Sequence, residues 1–437
     1  MQDYYARKWR NKMIINKING LSGEVTVPGD KSISHRSIML GSLAKGTTEV
    51  KGFLQGADCL SSISCFSKMG VEIENKGDIV LIHGRGLRGL KEPASTLDVG
   101  NSGTTTRLMS GILAAQNFTS RVTGDASIQK RPMKRIITPL SMMGADIKSE
   151  FGNDCAPLII NGTSLRGIHY DSPVASAQVK SAVLFAGLYA DGETSVTEPA
   201  VSRNHTELMF EEYGVDIKCE GKTVVMKPAD ELHARKVIVP GDISSATYFI
   251  VAAAITPNSC VTIRNVGINP TRDGIIEVCR MMGANITIEK TSGDIGEPTA
   301  DITVSTSSLK GCTIGGDIIP TLIDEIPAIA ILACFADGET IIKDAQELKV
   351  KESNRIDVVV NNLKAMGADI EATDDGMIIS GGKVLHGAVI DSKLDHRIAM
   401  SFAIAGMNAD GETEILGSEC VDISYPEFYN DIKRLSK

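Results

Sequence analysis

The stretch Phe335-Ala-Asp-Gly-Glu-Thr-Ile-Ile342 joins the Ala-rich end of an apolar segment to a β-branched strand through a polar turn. The same phrase recurs along the chain, with its turn glycine or asparagine at residues 46, 117, 192, 258, 338 and 411. These positions are separated by 71, 75, 66, 80 and 73 residues. Repeats of this length predict small α/β units rather than the turns of a solenoid.

A second phrase alternates with the first. It consists of a helix end, a glycine and a short strand, and it occurs at Met69-Gly, Met143-Gly, Tyr213-Gly, Met282-Gly and Met366-Gly. The glycine suits the left-handed position that follows a helix C-terminus. Each repeat is therefore predicted to run helix, strand, helix, strand, strand. No G-x-G-x-x-G fingerprint accompanies these elements, which argues against a dinucleotide-binding fold.

The chain has 437 residues, too many for one ordinary core. Six repeats suggest two domains of three. Val27-Pro-Gly-Asp-Lys31 is echoed near the midpoint by Val239-Pro-Gly-Asp-Ile243, which indicates two equivalent crossings between the domains. We therefore predict one domain over 28–240 and a second over 1–27 with 241–437, with hinges near 27–28 and 240–241.

Composition excludes several classes of protein. The net charge of −9 and the aromatic content of 4% argue against general nucleic-acid binding and against a basic membrane surface. The nine cysteines form no C-x-x-C pair, so buried thiols in a reducing cytoplasm are expected rather than a disulfide frame or a zinc site. Residues 1–12 are polar and charged, unlike a signal peptide, and no apolar run approaches the ~18 residues of a spanning helix.

The first candidate site is Pro28-Gly-Asp-Lys-Ser-Ile-Ser-His-Arg-Ser37. A turn at Pro28-Gly29 precedes a helix predicted over 34–44, so Lys31, Ser32 and Arg36 lie near a helix N-terminus, where free N–H groups favour an anion. It is not a nucleotide P-loop, because Asp30 rather than glycine precedes the lysine. A capped helix with two solvated cations is the plain alternative.

Other turns offer similar groups. Gly100-Asn-Ser-Gly-Thr-Thr-Thr-Arg107 precedes an apolar helix predicted over 108–115, and its N–H groups suit an anion, although a plain N-cap explains it equally well. Gln129-Lys-Arg-Pro-Met-Lys-Arg135 places four cations at a helix start, against the helix dipole. Ser176-Ala-Gln-Val-Lys180 and Ser202-Arg-Asn-His-Thr206 open helices with small donors.

The acidic candidates lie later in the chain. Asp324 and Glu325 precede a long apolar helix, where helix capping is the plain alternative. Lys349-Val-Lys-Glu-Ser-Asn-Arg355 places Lys351 and Arg355 four residues apart, which predicts two like charges on one helix face and an anion between them. Asp395-His-Arg397 stands at the head of a further helix.

Taken together and in order, these motifs resemble the 5-enolpyruvylshikimate-3-phosphate synthase family over residues 14 to about 434. Residues 1–12 look like an extension foreign to the family. The resemblance implies an inverted α/β barrel of two domains, each of three βαβαββ units, with the active site in the cleft. It implies transfer of the enolpyruvyl group of phosphoenolpyruvate to the 5-hydroxyl of shikimate 3-phosphate, with release of phosphate, in the shikimate pathway of aromatic amino acid biosynthesis. No metal or organic cofactor is implied, and a cytoplasmic monomer without nucleic-acid or membrane partners is expected.

The resemblance also implies residue roles. The expected ligands of shikimate 3-phosphate are Lys31, Ser32, Arg36, Ser176, Gln178, Arg203, Asp324 and Lys351. The expected ligands of phosphoenolpyruvate are Lys31, Gly103, Arg131, Gln178, Arg355 and Arg397. Asp324 would accept the proton of the 5-hydroxyl, Glu352 would protonate the enol methylene, and Lys31 completes the catalytic set.

Departures from the best-known bacterial pattern resemble the class II, glyphosate-tolerant branch. They include Ser176-Ala-Gln178 in place of Ser-Ser-Gln, and Ile423 in place of a lysine. Gly103, however, remains glycine where a tolerant form has alanine.

Two other functions remain open. A related enolpyruvyl transferase acts on UDP-N-acetylglucosamine, but its lysine is followed by Asn and it uses a Cys-bearing loop, whereas Lys31-Ser32 stands here. A non-catalytic anion-binding protein of the same fold is the second alternative. Asp324 and Glu352 argue against it, because anion binding alone does not need them.

Overall fold

The computed structural model describes residues 12–291 and 297–437. Apart from Lys12, the N-terminal extension lies outside these residues. Contacts between the described residues divide the chain into two compact units. The continuous unit comprises Gly29–Val239, and the split unit comprises residues 12–28 with Pro240–Lys437. Every helix within the described part of the chain is too short or too polar to cross a membrane.

The continuous unit contains three four-stranded sheets with one common topology. In each sheet the first two strands are parallel and the other neighbours are antiparallel. In sheet order, the strands of the three sheets are Lys236–Ile238, Lys45–Lys51, Ile79–Arg85 and Glu72–Asn75; Leu97–Asp98, Thr119–Thr123, Leu158–Asn161 and Asp146–Ser149; and His169–Asp171, Thr194–Thr197, Thr223–Met226 and Ile217–Glu220.

The split unit repeats this topology three times, with one strand fewer in its last sheet. In the same order, its strands are Ser22–Val25, Cys260–Gly267, Thr299–Ser305 and Asn285–Lys290; Thr313–Ile314, Glu339–Ile342, Met377–Ser380 and Asp369–Ala372; and Val389–Asp391, Thr413–Leu416 and Lys12–Ile15. The N-terminal strand thus pairs antiparallel with a strand near the C-terminus, and this pairing completes the last sheet.

The two crossings exchange strands between repeats. Ser22–Val25 precedes the first helix of the continuous unit but pairs with Cys260–Gly267 in the split unit. Lys236–Ile238 precedes the first long helix of the split unit after the second crossing, but it pairs with Lys45–Lys51. In each unit, one sheet therefore pairs strands that are distant in sequence: Ser22–Val25 with Cys260–Gly267, and Lys236–Ile238 with Lys45–Lys51. That the crossings act as hinges stays a prediction.

Each repeat carries two longer helices, of which the first is the more deeply buried, and the split unit has one further helix of four residues, Ile319–Leu322. The helices of the continuous unit are Lys31–Leu43, Ala57–Lys68, Gly103–Leu113, Lys134–Met142, Ala177–Gly187 and His205–Glu212. Those of the split unit are Ile243–Ile255, Gly274–Met281, Ile319–Leu322, Ile326–Cys334, Arg355–Ala365, His396–Gly406 and Phe428–Leu435. Short 3₁₀ segments occur at Ile128–Lys130, Gly316–Ile318, Gln346–Val350 and Ser418–Ile423.

The buried first helices form the core of each unit. Every residue of Ile243–Ile255 and of Ile326–Cys334 is buried, as expected for helices that are apolar on all sides. In the continuous unit, all but the first residue of Lys31–Leu43 are buried. A polar residue at the N-terminus of such a helix is therefore held by the surrounding core. The predicted site residues in this position are Lys31, Ser32, Gly103, Ser176, Gln178 and Arg397.

The predicted glycine positions are confirmed. Each glycine of the second phrase has a positive φ, between 80° and 99°, directly after the residue that caps its helix: Gly70, Gly144, Gly214, Gly283 and Gly367. The predicted helix starts were less accurate. Two helices begin earlier than predicted, at Lys31 and at Gly103, because Asp30 and Ser102 cap them by accepting the backbone N–H of Ile33 and of Thr105.

Candidate active site

In the continuous unit, Lys31 is the first residue of its helix. Its ammonium group contacts the carboxylate of Asp58, which is the second residue of the neighbouring helix Ala57–Lys68. The Lys31 side chain is 20% exposed and that of Asp58 is 6% exposed. Asp58 thus fixes the lysine at the helix N-terminus, where its charge adds to the positive end of the helix dipole.

Arg36 lies one turn further along the same helix and is only 1% exposed. Its guanidinium donates to Thr206 Oγ1 at 2.7 Å, to Ser181 Oγ at 2.8 Å and to the carbonyl of Ser32 at 3.0 Å. The alternative of two solvated cations is wrong for this residue, because the guanidinium is buried among three helix starts. A guanidinium has five N–H donors, so these three bonds fix the orientation of Arg36 without using all of its donors.

His35 adjoins this group but adds no charge to it. The ring is fully buried, and Nδ1 lies 2.8 Å from Ser62 Oγ. Burial, together with the charges of Lys31 and Arg36, holds the pKa of His35 well below its usual value. The imidazole is therefore neutral at pH 7, and the positive charge in this region comes from lysine and arginine.

Gly103 stands beside two further cations. A Cβ at this position would lie 2.7 Å from Arg107 Nη1 and 3.2 Å from Arg131 Nη1. Arg131 is held by bonds to Asn101 Oδ1 at 2.9 Å and to Ser127 Oγ at 3.3 Å. The absence of a side chain at residue 103 therefore lets two guanidinium groups approach one helix N-terminus.

The third helix start of this unit carries Ser176 and Gln178. Gln178 donates to Thr104 Oγ1 at 3.1 Å, which links this helix to the one that begins at Gly103. Its buried Oε1 accepts no hydrogen bond from the described part of the chain. Within the same described residues, the Ser176 hydroxyl does not cap its own helix. Both groups are therefore available to bind a ligand.

In the split unit, Arg355 is the centre of a carboxylate cluster. The side chain is 1% exposed and contacts Glu352 Oε2 at 2.6 Å, Asp395 Oδ2 at 2.8 Å and Asp324 Oδ1 at 3.1 Å. Asp395 also caps the helix His396–Gly406 by accepting the N–H of Arg397. One arginine thus holds both predicted acid–base residues, Asp324 and Glu352, in fixed positions.

Lys351 and Arg397 also approach Asp324. Lys351 Nζ lies 3.4 Å from Asp324 Oδ1, and Arg397 donates to the backbone carbonyl of Asp324 at 3.2 Å. The predicted shared helix face is wrong, because the helix begins only at Arg355 and Lys351 lies in the preceding segment. The anion expected between Lys351 and Arg355 is the carboxylate of Asp324 itself.

The carboxylates keep the arginines of this cluster charged. Burial by itself would lower the pKa of Arg355, but Asp395, Glu352 and Asp324 outweigh it and raise that pKa. For Arg397 the same opposition holds, with Asp324 as the largest raising influence on the pKa. The alternative that Asp324 is a plain helix cap is not supported, since Glu325 occupies the N-cap position of Ile326–Cys334.

The sequence predictions missed several residues that support the site. Asp58, Asp395 and Thr206 each bond a predicted ligand, but each reads in sequence as an ordinary polar residue at a helix start. Asp395 offered a signal, since it stands directly before His396-Arg397 in a quoted motif. Elsewhere in the continuous unit, the possible ligand atoms of Glu72, Glu74 and His83 lie within 4.8 Å of one another, close enough to hold a metal ion. None of these residues is a predicted site residue.

Comparisons with known proteins identify the family of this chain. Residues 15–432 match the family model described as EPSP synthase (3-phosphoshikimate 1-carboxyvinyltransferase). A protein of that enzyme name from a strain of Bacillus cereus is 59% identical over 419 residues, which cover 96% of this chain and 98% of the relative. One from Bacillus thuringiensis subsp. konkukian is 58% identical with the same coverage.

A solved structure shows the same likeness. The 2.37 Å structure of EPSP synthase from Acinetobacter baumannii has a TM-score of 0.86 and 49% sequence identity, and the match covers 97% of this chain and 98% of that one. The predicted fold class, the two-domain enolpyruvyl transferase fold, is thereby confirmed. With a family match over nearly its whole length and relatives above 30% identity, this chain belongs to the EPSP synthase (3-phosphoshikimate 1-carboxyvinyltransferase) family of transferases.

Proposed function

We propose that this chain transfers the enolpyruvyl group of phosphoenolpyruvate to the 5-hydroxyl of shikimate 3-phosphate and releases phosphate, as part of aromatic amino acid biosynthesis. The observation that carries the proposal is the contact of one buried arginine with two carboxylates. Arg355 holds Asp324 at 3.1 Å and Glu352 at 2.6 Å, with Lys351 beside Asp324. Two fixed carboxylates among cations provide the acid and the base that addition and elimination of a proton require.

Asp324 accepts the proton of the 5-hydroxyl as that oxygen forms a bond to C2 of phosphoenolpyruvate. Glu352 delivers a proton to the methylene carbon, C3, in the same addition. In the elimination, Glu352 takes back a proton from C3 and phosphate leaves C2 with the proton held by Asp324, which restores the double bond in the product. The side chains of Asp324 and Glu352 are 12% and 22% exposed, so both are held by the protein and still reach solvent.

For shikimate 3-phosphate, the proposed ligands from the continuous unit are Lys31, Ser32, Arg36, Ser176, Gln178 and Arg203. The Ser176 hydroxyl, which does not cap its helix, and Gln178 Oε1 support this assignment, as does the N-terminal position of Lys31. Three bonds to neutral oxygens hold the guanidinium of Arg36 in place, and they leave its charge uncompensated by these partners. Asp324 and Lys351 are the proposed ligands from the split unit.

For phosphoenolpyruvate, the proposed ligands are Lys31, Gly103, Arg131, Gln178, Arg355 and Arg397. The guanidinium of Arg131 beside the helix start at Gly103 supports a phosphate or carboxylate ligand, because fixed N–H donors suit either group. Arg397 is 13% exposed in its side chain and keeps its charge, whereas Arg355 already bonds three carboxylates. We therefore expect Arg397 to contact phosphoenolpyruvate more directly than Arg355.

A phosphate-release assay tests the proposed reaction. The protein is supplied with phosphoenolpyruvate and shikimate 3-phosphate, and separately with phosphoenolpyruvate and UDP-N-acetylglucosamine. We expect phosphate release with the first pair only. Phosphate release with the second pair only would support the related transferase. Release with neither pair would support a non-catalytic anion-binding protein. Monomeric state, cytoplasmic location and inhibition by glyphosate stay predictions.

A further inference from the structure

Three charged side chains are buried together in the continuous unit, and none of them belongs to the predicted site. Lys180 Nζ lies 2.8 Å from Glu198 Oε2 and 2.7 Å from Glu207 Oε1. The side chains of this group, called here the Lys180 triad, are each no more than 3% exposed. With one positive and two negative charges, the triad has a formal charge of −1.

Removing charged side chains from water costs free energy. Well-packed apolar residues of similar volume often stabilise a protein as much as a buried ion pair does, or more. Within the triad, the two carboxylates outweigh the effect of burial and raise the pKa of Lys180, so the lysine is charged. Glu207 lies in the first turn of the helix His205–Glu212, where the dipole favours an acid. This accounts for the position of Glu207 but not for that of Glu198, which lies outside the helices and strands.

Glu198 differs from Glu207 in what else it contacts. Its Oε1 accepts the backbone N–H of Ser176 at 2.8 Å. Both of its oxygens accept the Ser202 hydroxyl, each at 2.8 Å. Lys180 also donates to the carbonyl of Ser202 at 3.3 Å. One carboxylate therefore joins the start of the helix Ala177–Gly187 to the segment that carries Arg203.

We propose that Glu198 is a positioning residue for the binding of shikimate 3-phosphate. It holds Ser176 by its backbone N–H and Arg203 through the adjacent Ser202, so that both segments keep a fixed separation before the substrate binds. Lys180 balances its charge. This inference rests on the proposed function, because it takes Ser176 and Arg203 to be ligands of that substrate.

Electrostatics alone predicts the opposite effect. Glu198 is an anion close to the segments proposed to bind a phosphate, so its charge by itself weakens phosphate binding. Removal of that charge would improve binding if Glu198 had no positioning role. The direction of the change in KM therefore distinguishes the two explanations.

The test compares Glu198→Gln with Glu207→Gln. Each variant removes one buried negative charge from Lys180. Glu198 uses Oε1 to accept from the N–H of Ser176 and Oε2 to contact Lys180. A glutamine has one side-chain oxygen, so in either orientation its NH₂ group faces another donor. Glu207 contacts Lys180 through one oxygen, which a glutamine oxygen can replace.

We expect Glu198→Gln to raise the KM for shikimate 3-phosphate about tenfold, as loss of a hydrogen bond to a charged group does. The KM for phosphoenolpyruvate should change less than twofold in Glu198→Gln. For Glu207→Gln, both KM values should stay within twofold of the parent protein. Equal effects of the two variants, or a lower KM for shikimate 3-phosphate in Glu198→Gln, would overturn the proposal.

Two further variants keep the test decisive. Ser202→Ala removes the hydroxyl bonded to Glu198 without changing any charge, and it should raise the same KM about threefold; an unchanged KM would count against the proposal even if Glu198→Gln fails to fold. Ser176→Ala tests the ligand assignment itself. If Ser176→Ala leaves the KM for shikimate 3-phosphate unchanged, the assignment in the proposed function is wrong. If only Ser176→Ala raises it, the positioning role of Glu198 alone is wrong.

Discussion

Arg36 and Arg355 are both 1% exposed, yet their surroundings differ. Arg36, in the continuous unit, donates to two hydroxyls and a backbone carbonyl. Arg355, in the split unit, contacts three carboxylates. In the first case neutral oxygens hold a cation at a helix start, which suits the binding of an anion. In the second case the cation holds acids in place, which suits proton transfer. The same type of side chain is thus held by neutral oxygens in one unit and by carboxylates in the other.

The largest effect should come from the acids that Arg355 holds. Asp324→Asn keeps the size of the side chain but cannot accept a proton, so kcat should fall by about 10²–10⁴-fold, while substrate affinity changes much less. Glu352→Gln should also stop the exchange of the methylene hydrogens of phosphoenolpyruvate with solvent. Steady-state kinetics measures kcat, and NMR measures the hydrogen exchange. A kcat near that of the parent protein in Asp324→Asn would end the catalytic assignment.

The next largest effect concerns stability. Arg355→Met leaves Asp395, which is fully buried, without its charge partner, and should lower the free energy of unfolding by about 3–5 kcal/mol. Arg36→Met should lower the free energy of unfolding by less. Ser181 and Thr206 lose the arginine but remain bonded to each other at 2.6 Å. Urea unfolding of both variants measures the difference. Equal decreases in the free energy of unfolding would show that the difference between neutral and charged partners does not affect stability.

Binding should be affected next. Lys31→Ala and Arg131→Ala each remove a charge-assisted contact, so each should weaken the binding of the substrate anion by about 1.5–3 kcal/mol. Titration calorimetry with each substrate measures the loss. If affinity for both substrates is unchanged in both variants, the continuous unit does not supply the anion site.

Gly103→Ala should have the smallest effect. Its Cβ would press on the ends of Arg107 and Arg131, which are flexible, so a small shift of these guanidinium groups relieves the contact. We expect the inhibition constant of glyphosate to rise more than the KM for phosphoenolpyruvate, since a compact inhibitor tolerates such a shift less. Steady-state kinetics with and without glyphosate decide this, and equal increases would reject the argument.

Gly111→Ala is the matched control, on the same helix. Its Cβ would meet the backbone carbonyl of Ala182, which cannot move as a side chain does. This variant should lower the melting temperature without discriminating between inhibitor and substrate. A selective change in inhibition would show that residue 103 has no special position.

Much of the fold was predictable because its signals are local. A polar turn after an apolar helix, and a glycine after a helix end, depend on residues a few positions apart, and both recur along the chain. The order of helices and strands in each repeat follows from them. The exact starts of Lys31–Leu43 and Gly103–Leu113 were missed, because a side-chain cap moves a boundary by several residues without changing the apolar pattern.

The site was predictable only in part. Residue types at helix starts identified Lys31, Gly103, Ser176 and Asp324 as candidates, and the family resemblance assigned their roles. Which charges are paired was not predictable, because an ion pair depends on side chains brought together from distant positions. Lys31 contacts Asp58, and Arg355 contacts Asp395 40 residues away. For the same reason, the sequence did not reveal that the carboxylate of Asp324 lies between Lys351 and Arg355.

The repeated α/β units and the membership of the family could be predicted from the sequence alone, because each depends on short runs of residues. How each charge is compensated depends on the packing of distant elements against one another. Burial raises the free energy of an unpaired charge, so Asp58, Asp395 and Glu198 are placed wherever a neighbouring element brings a cation or a donor. Such partners depend on the packing of whole helices, which no local pattern specifies.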